Sequence, residues 1–158
     1  MAADSSSALD KIDRRILGLL QADGRLSNLR LAEAVCLSPT AVLERVRRLT
    51  REGYILGYEA RLDPAKLDAG LMVFVEVLLD RTVQDVMDTF KAAVQARPEI
   101  LECHLVAGGF DYLLKTRVAD MAAYRHFIGS GIWTLPGVRE TRTYVVMEEV
   151  KNTAAIAL

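Results

Sequence analysis

The chain has 158 residues, 51% of them hydrophobic and 26% charged, with a formal net charge of −1. That composition supports a packed core and excludes a largely disordered chain, and the length fits one domain or two small ones. The longest apolar run, Leu71 to Val75, is far short of a membrane span. Cys36 and Cys103 stand far apart with no metal-ligand spacing around either, which argues against a disulfide framework or a zinc site. The opening residues, Met1 to Ser7, are polar and acidic rather than signal-like, so a cytoplasmic protein with reduced thiols and no membrane contact is expected.

A first helix is predicted from Asp10 to Gln21, with Ile12, Ile16, Leu19 and Leu20 at helical spacing and Asp10 as N-cap. Asp23-Gly24 ends it. Ser27 caps a second helix, Asn28 to Val35, with Leu31, Ala32 and Val35 inward. Only Cys36 and Leu37 precede the next cap, Ser38, and Pro39 takes the first helical position, where a missing N–H costs nothing. In this third helix Val42, Val46 and Leu49 form a buried stripe. Thr40, Ala41, Glu44, Arg45, Arg48 and Arg51 are left facing outward. Gly53 stops the helix, and Tyr54 to Arg61 reads as a strand or wing. Three helices with so tight a turn between the last two make a helix-turn-helix arrangement. A helix with a small, polar N-terminus and a basic outer face suits the major groove of double-stranded DNA. Charge agrees: residues 1–62 hold ten Lys/Arg against eight Asp/Glu, residues 63–158 hold ten against thirteen, and 36–51 hold four arginines against one glutamate.

Pro64 and its polar neighbours mark a linker at 63–70, separating a DNA-binding domain at 1–62 from a second domain at 71–158. The second domain reads as strand, helix, strand, strand, helix, strand. Leu71 to Leu79 is the first strand. Val83, Val86, Met87, Phe90 and Val94 mark a helix ended by Arg97-Pro98. Strands at Ile100 to Ala107 and Tyr112 to Val118 are joined through Gly108-Gly109-Phe110-Asp111. Asp120 caps a helix with Met121, Tyr124, Phe127 and Ile128 inward, and Pro136-Gly137 turns the chain into Val138 to Met147. This βαββαβ order is ferredoxin-like, so the chain is α+β: a winged helix-turn-helix domain followed by a ferredoxin-like domain. The first strand is apolar on both faces, interrupted only by Glu76. Helices on one side of a sheet need only one apolar face, so a second copy is expected to cover the other, making a homodimer.

The whole chain from Leu9 to about Lys151 resembles the Lrp/AsnC, or feast/famine, regulators of bacteria and archaea. The resemblance is carried by Leu9-Asp10-Lys11-Ile12-Asp13, Leu37-Ser38-Pro39-Thr40, Glu44-Arg45-Val46-Arg47-Arg48-Leu49, Gly53-Tyr54-Ile55-Leu56-Gly57-Tyr58 and Gly108-Gly109-Phe110-Asp111-Tyr112. Glu102 to Val106 and Thr141 to Val150 are similar to the leucine-responsive branch in particular. The resemblance implies a transcriptional regulator with no enzymatic activity, whose dimers assemble further, often to octamers, and bind an amino acid in the C-terminal assembly. It points to leucine or another branched-chain amino acid as effector, and implies no cofactor.

For DNA the matching positions are Ser38, Thr40, Ala41, Arg45, Arg47 and Arg48. Ser38 and Thr40 sit where a helix N-terminus favours phosphate, Arg45 and Arg48 suit base edges or phosphates, and Arg47 suits a flanking phosphate. For the effector they are Leu105, Gly108, Gly109, Asp111, Met121, Tyr144, Val145 and Val146. The glycines offer backbone N–H groups to a carboxylate and Asp111 a counter-charge to an ammonium. Two other classes compete: a ligand-independent architectural DNA-binding protein, and a fold-related decarboxylase using Cys103 and His104. Neighbours on a strand point to opposite faces, so that cysteine and histidine do not form a nucleophile–base pair.

Overall fold

Asp10 begins the first helix by a reciprocal bond: its side chain accepts from the Asp13 N–H at 2.7 Å while Asp13 accepts from the Asp10 N–H at 3.2 Å. In this computed structural model the described residues are 9–158 except 83, so Val83 and the opening residues lie outside them. The chain divides into two units: residues up to Arg61 together with Asn152–Leu158, and Leu62–Lys151.

The first unit contains α1 (Lys11–Ala22), α2 (Asn28–Val35) and α3 (Pro39–Arg51). Ile16, Leu17, Leu31, Ala32, Val35, Val42 and Leu49 make its core. The expected wing does not form a strand. The Tyr54 and Ile55 N–H groups turn back to the Leu49 carbonyl at 2.9 and 3.2 Å, closing the end of α3 instead of starting a ladder. The tail also departs from expectation. Residues 152–158, assigned above to the second domain, belong to the first unit, where Gln21 Nε2 donates to the Ile156 carbonyl at 2.9 Å and the Ile156 N–H donates to Gln21 Oε1 at 2.6 Å.

The second unit opens with a 3₁₀ turn at Pro64–Leu67, inside what the sequence reads as linker. It continues through β1 (Leu71–Leu79), α4 (Val86–Gln95), β2 (Ile100–Leu105), β3 (Tyr112–Val118), α5 (Met121–Phe127), a π-helical turn at Ile128–Ile132 and β4 (Val138–Val145). Both later edge strands end two residues earlier than predicted. The sheet order is β2-β3-β1-β4, antiparallel throughout. Val73, Val75 and Val77 pair across to Thr116, Leu114 and Tyr112, and this face packs under Phe90 and Val94 of α4 and Tyr124 and Phe127 of α5. The opposite face carries Met72, Phe74, Glu76 and Leu78, flanked by Leu113, Lys115 and Arg117. Met121 is a correction: it is 54% exposed, because the α5 stripe that reaches the core runs through Tyr124 and Phe127.

Candidate functional site

The helix-turn-helix is set by local chemistry. Ser38 caps α3 by accepting from the Ala41 N–H at 3.2 Å. Cys36 closes α2 in the left-handed region at φ 56°, and the Leu37 N–H returns to the Ala32 carbonyl at 3.1 Å. Asn28, first residue of α2, donates from Nδ2 to the Pro39 carbonyl at 2.7 Å and so ties the two helix starts together.

The arginines of α3 divide into two kinds. Arg47 is 64% exposed and among the described residues pairs with Glu44, one turn back at 3.1 Å. Arg45 and Arg48, read above as outward-facing, instead reach across to α1. Arg45 Nη1 donates to Asp10 Oδ2 at 2.7 Å and Asp13 Oδ1 at 2.8 Å, and Arg48 Nη2 donates to Asp13 Oδ2 at 2.6 Å. Their side chains are 28% and 23% exposed, and Asp13 beneath them is 1% exposed. Burial alone raises the Asp13 pKa, but the two arginines and the Asp10 N–H outweigh it, and the carboxyl is held below its ordinary value. The exposed ridge of α3 is therefore Thr40, Glu44, Arg47 and Arg51, with Ala41 half-buried beside it. A signal for the ion-pair cluster was present: two acids spaced i, i+3 on α1 match two bases spaced i, i+3 on α3.

In the second unit the expected effector residues fall at two ends of one sheet. Leu105 pairs with Tyr112, which pairs with Val77; Val145 pairs with Val73 at the other end. Gly108, Gly109 and Asp111 follow Leu105, while Met121, Tyr144 and Val146 lie toward the Val145 end. Four residue steps of β1 separate the two groups, about 13 Å along the strand.

Asp111 does not offer a bare carboxylate. It is buried, accepts from the Leu79 N–H at 2.8 Å and from the Arg81 guanidinium, and these bonds overcome burial to hold its pKa low. Gly108 and Gly109 have open space where a Cβ would stand, so the single chain does not require glycine at either position. A groove of about 810 Å³ beside the loop is lined by Arg81, Val86, Met87, Asp88 and Leu105 among others. At the other end Met121, Tyr124 and Ile128 line a more apolar groove of about 540 Å³. The Tyr144 hydroxyl donates to Glu76 at 3.0 Å on the open sheet face, and the Val146 N–H donates to the Met72 carbonyl at 3.0 Å. Cys103 pairs with Leu114 and His104 with Leu113, on opposite faces, and burial pushes the Cys103 thiol up, away from thiolate.

A family model described as winged helix-turn-helix DNA-binding matches residues 9–55, and one described as Lrp/AsnC ligand binding domain matches 72–156. The leucine-responsive regulatory protein of Salmonella typhimurium is 60% identical over 150 residues, covering 95% of this chain and 92% of that protein. The chain belongs to the Lrp/AsnC family. The Escherichia coli leucine-responsive regulatory protein is 59% identical to this Lrp/AsnC chain over the same shares of both. A Neisseria meningitidis transcriptional regulator, crystallised in complex with L-methionine, superposes with a TM-score of 0.90 at 36% identity, over 94% of this chain and 96% of that one. Membership makes the chain a transcriptional regulator in which a DNA-binding domain precedes an amino-acid-binding domain. Among the described residues no helix of this Lrp/AsnC protein is long and apolar enough to cross a membrane.

Proposed function

We propose that this protein regulates transcription by binding specific DNA through α3 as an oligomer whose assembly, and hence DNA affinity, responds to a free amino acid, leucine first. The separation of the two effector groups along the sheet carries the reading. About 13 Å of strand is longer than a free amino acid, so one ligand touches both groups only when different copies supply them. A ligand bound that way favours one assembly over another, which is the coupling a sensor needs. The open sheet face, with Phe74, Leu78 and Leu113 at its centre, supports a dimer built sheet against sheet. An octamer would follow from dimers associating through the β2–β3 loop and the Met121 end. The relatives named leucine-responsive favour leucine as effector, while the methionine bound to the Neisseria regulator favours a pocket for an unbranched or branched apolar side chain.

Within that reading Asp111 changes role. With its carboxylate already bonded, it anchors the loop and the Arg81 guanidinium, and Arg81 supplies the charge that meets the effector carboxylate. On DNA, Arg47 and Thr40 on the exposed ridge contact phosphates. Arg47→Ala is expected to weaken all duplexes alike and to reduce the slope of log affinity against log salt by about one. A fluorescent duplex selected by the protein from a random pool, titrated with each of the twenty amino acids present, tests the whole reading. One amino acid should change the affinity by about 5- to 150-fold. Selection of no preferred duplex would remove the regulator reading; a preferred duplex with no response to any amino acid would leave an architectural DNA-binding protein.

A further inference from the structure

The Asp10, Asp13, Arg45 and Arg48 cluster lies at the start of α1 and along α3, and a fold-bracing role does not use all its donors. Arg45 Nη1 has two protons, and two carboxylates accept them at 2.7 and 2.8 Å. Among the described residues the Nε and Nη2 groups of Arg45 have no partner, and the side chain is 28% exposed. Those two N–H groups form one edge of a planar fork, the shape that fits guanine O6 and N7 in a major groove. The rotamer freedom an unpaired arginine loses on docking has already been lost on folding. The charges also matter. Two guanidiniums face two carboxylates, so the charges within the cluster cancel and it offers a passing phosphate little attraction.

We infer that Asp13 and Asp10 are positioning residues for sequence recognition: they hold Arg45 so that its outer N–H edge reads a base, and they cancel the charge that would otherwise bind phosphate at any sequence. The inference rests on the DNA-binding reading above. Directed donors are kept while undirected attraction is removed, which raises the ratio of specific to nonspecific affinity. Asp13 is the inner member, shared by both arginines; Asp10, half exposed, is the member nearer solvent.

Two substitutions test this without depending on the buried Asp13. Arg45→Lys keeps the charge and loses the fork; Asp10→Asn keeps an N-cap oxygen and removes one negative charge. Affinity is measured for the duplex the wild-type protein selects and for a scrambled duplex of equal composition, over a salt series, with melting followed in parallel. Arg45→Lys should weaken the selected duplex about ten- to a hundredfold, weaken the scrambled one far less, and relax preference at one base pair of each half-site. Asp10→Asn should strengthen scrambled-duplex binding severalfold, steepen its salt dependence, and lower the selected-to-scrambled ratio. Wild-type selected-to-scrambled ratios in both variants, with lower melting temperatures, would overturn the inference and leave a brace. If the wild-type protein prefers no duplex, the DNA-binding reading falls first and this inference with it.

Discussion

Asp13→Ala is expected to destabilise the helix-turn-helix unit by about 3 kcal/mol, a third or more of its stability, while the ferredoxin-like unit keeps its own. The substitution removes the N-cap partner of Asp10 and leaves Arg45 and Arg48 without the carboxylate between them. Breaking a buried ion pair by deleting one partner costs about 3–5 kcal/mol, and the lower end applies because both arginines keep a quarter of their surface in water. A unit of this size is stable by only about 3–9 kcal/mol at about 0.05–0.15 kcal/mol per residue. Amide hydrogen exchange should show α1 to α3 losing protection and β1 and β3 keeping theirs. Equal loss in both units would mean that the cluster does not serve the first unit specifically.

The same carboxylate sets an acid limit. Its folded pKa is depressed, so its contribution is fully present above the unfolded value of about 3.9 and is lost as pH falls through the lower folded value. Wild-type protein should lose unfolding free energy of the first unit below about pH 4, and Asp13→Asn should flatten that slope. An unchanged slope in the variant would assign the acid sensitivity elsewhere.

Gly137→Ala carries the second large effect, on the other unit. Gly137 sits at φ +72°, where side chains are strained, and a Cβ there would lie 2.0 Å from Val86 Cγ2. Its carbonyl accepts from the Asp80 N–H at 2.8 Å, so the turn has little freedom to swing away. Left-handed strain of about 1–2 kcal/mol and overpacking of about 1–3 kcal/mol give an expected loss of about 2–5 kcal/mol. A denaturant midpoint measures it. Adding Val86→Ala should recover the overpacking part and not the strain, and a cycle without coupling would contradict the close approach.

Helix starts were legible because caps are local: Asp10, Ser27, Ser38 and Asp120 each accept the backbone N–H that the sequence pattern assigns them. The apolar run of β1 was legible as a strand, but with both faces apolar it did not say which face the helices cover; the structure buries Val73, Val75 and Val77 there with Leu114. What escaped depends on partners remote in sequence. Arg45 and Arg48 looked free because their carboxylates lie 32–35 residues away. Asp111 looked available because Arg81, 30 residues earlier, carries no periodic signal. Met121 sits at helical spacing with Tyr124 and Ile128, yet of this short helix only Tyr124 and Phe127 are buried. The tail return through Gln21 and Ile156 has no pattern at all, only one side-chain amide meeting a backbone pair.

An effector that acts through assembly changes the mass of the protein. Light scattering on the size-excluded protein, without ligand and across a leucine series, tests it most directly, with the remaining amino acids run at one concentration. The expected result is a ligand-free mass of a dimer or a multiple of it, and a shift between assemblies over the leucine range that alters DNA affinity. One unchanging mass with all twenty, together with no heat of leucine binding, would contradict it.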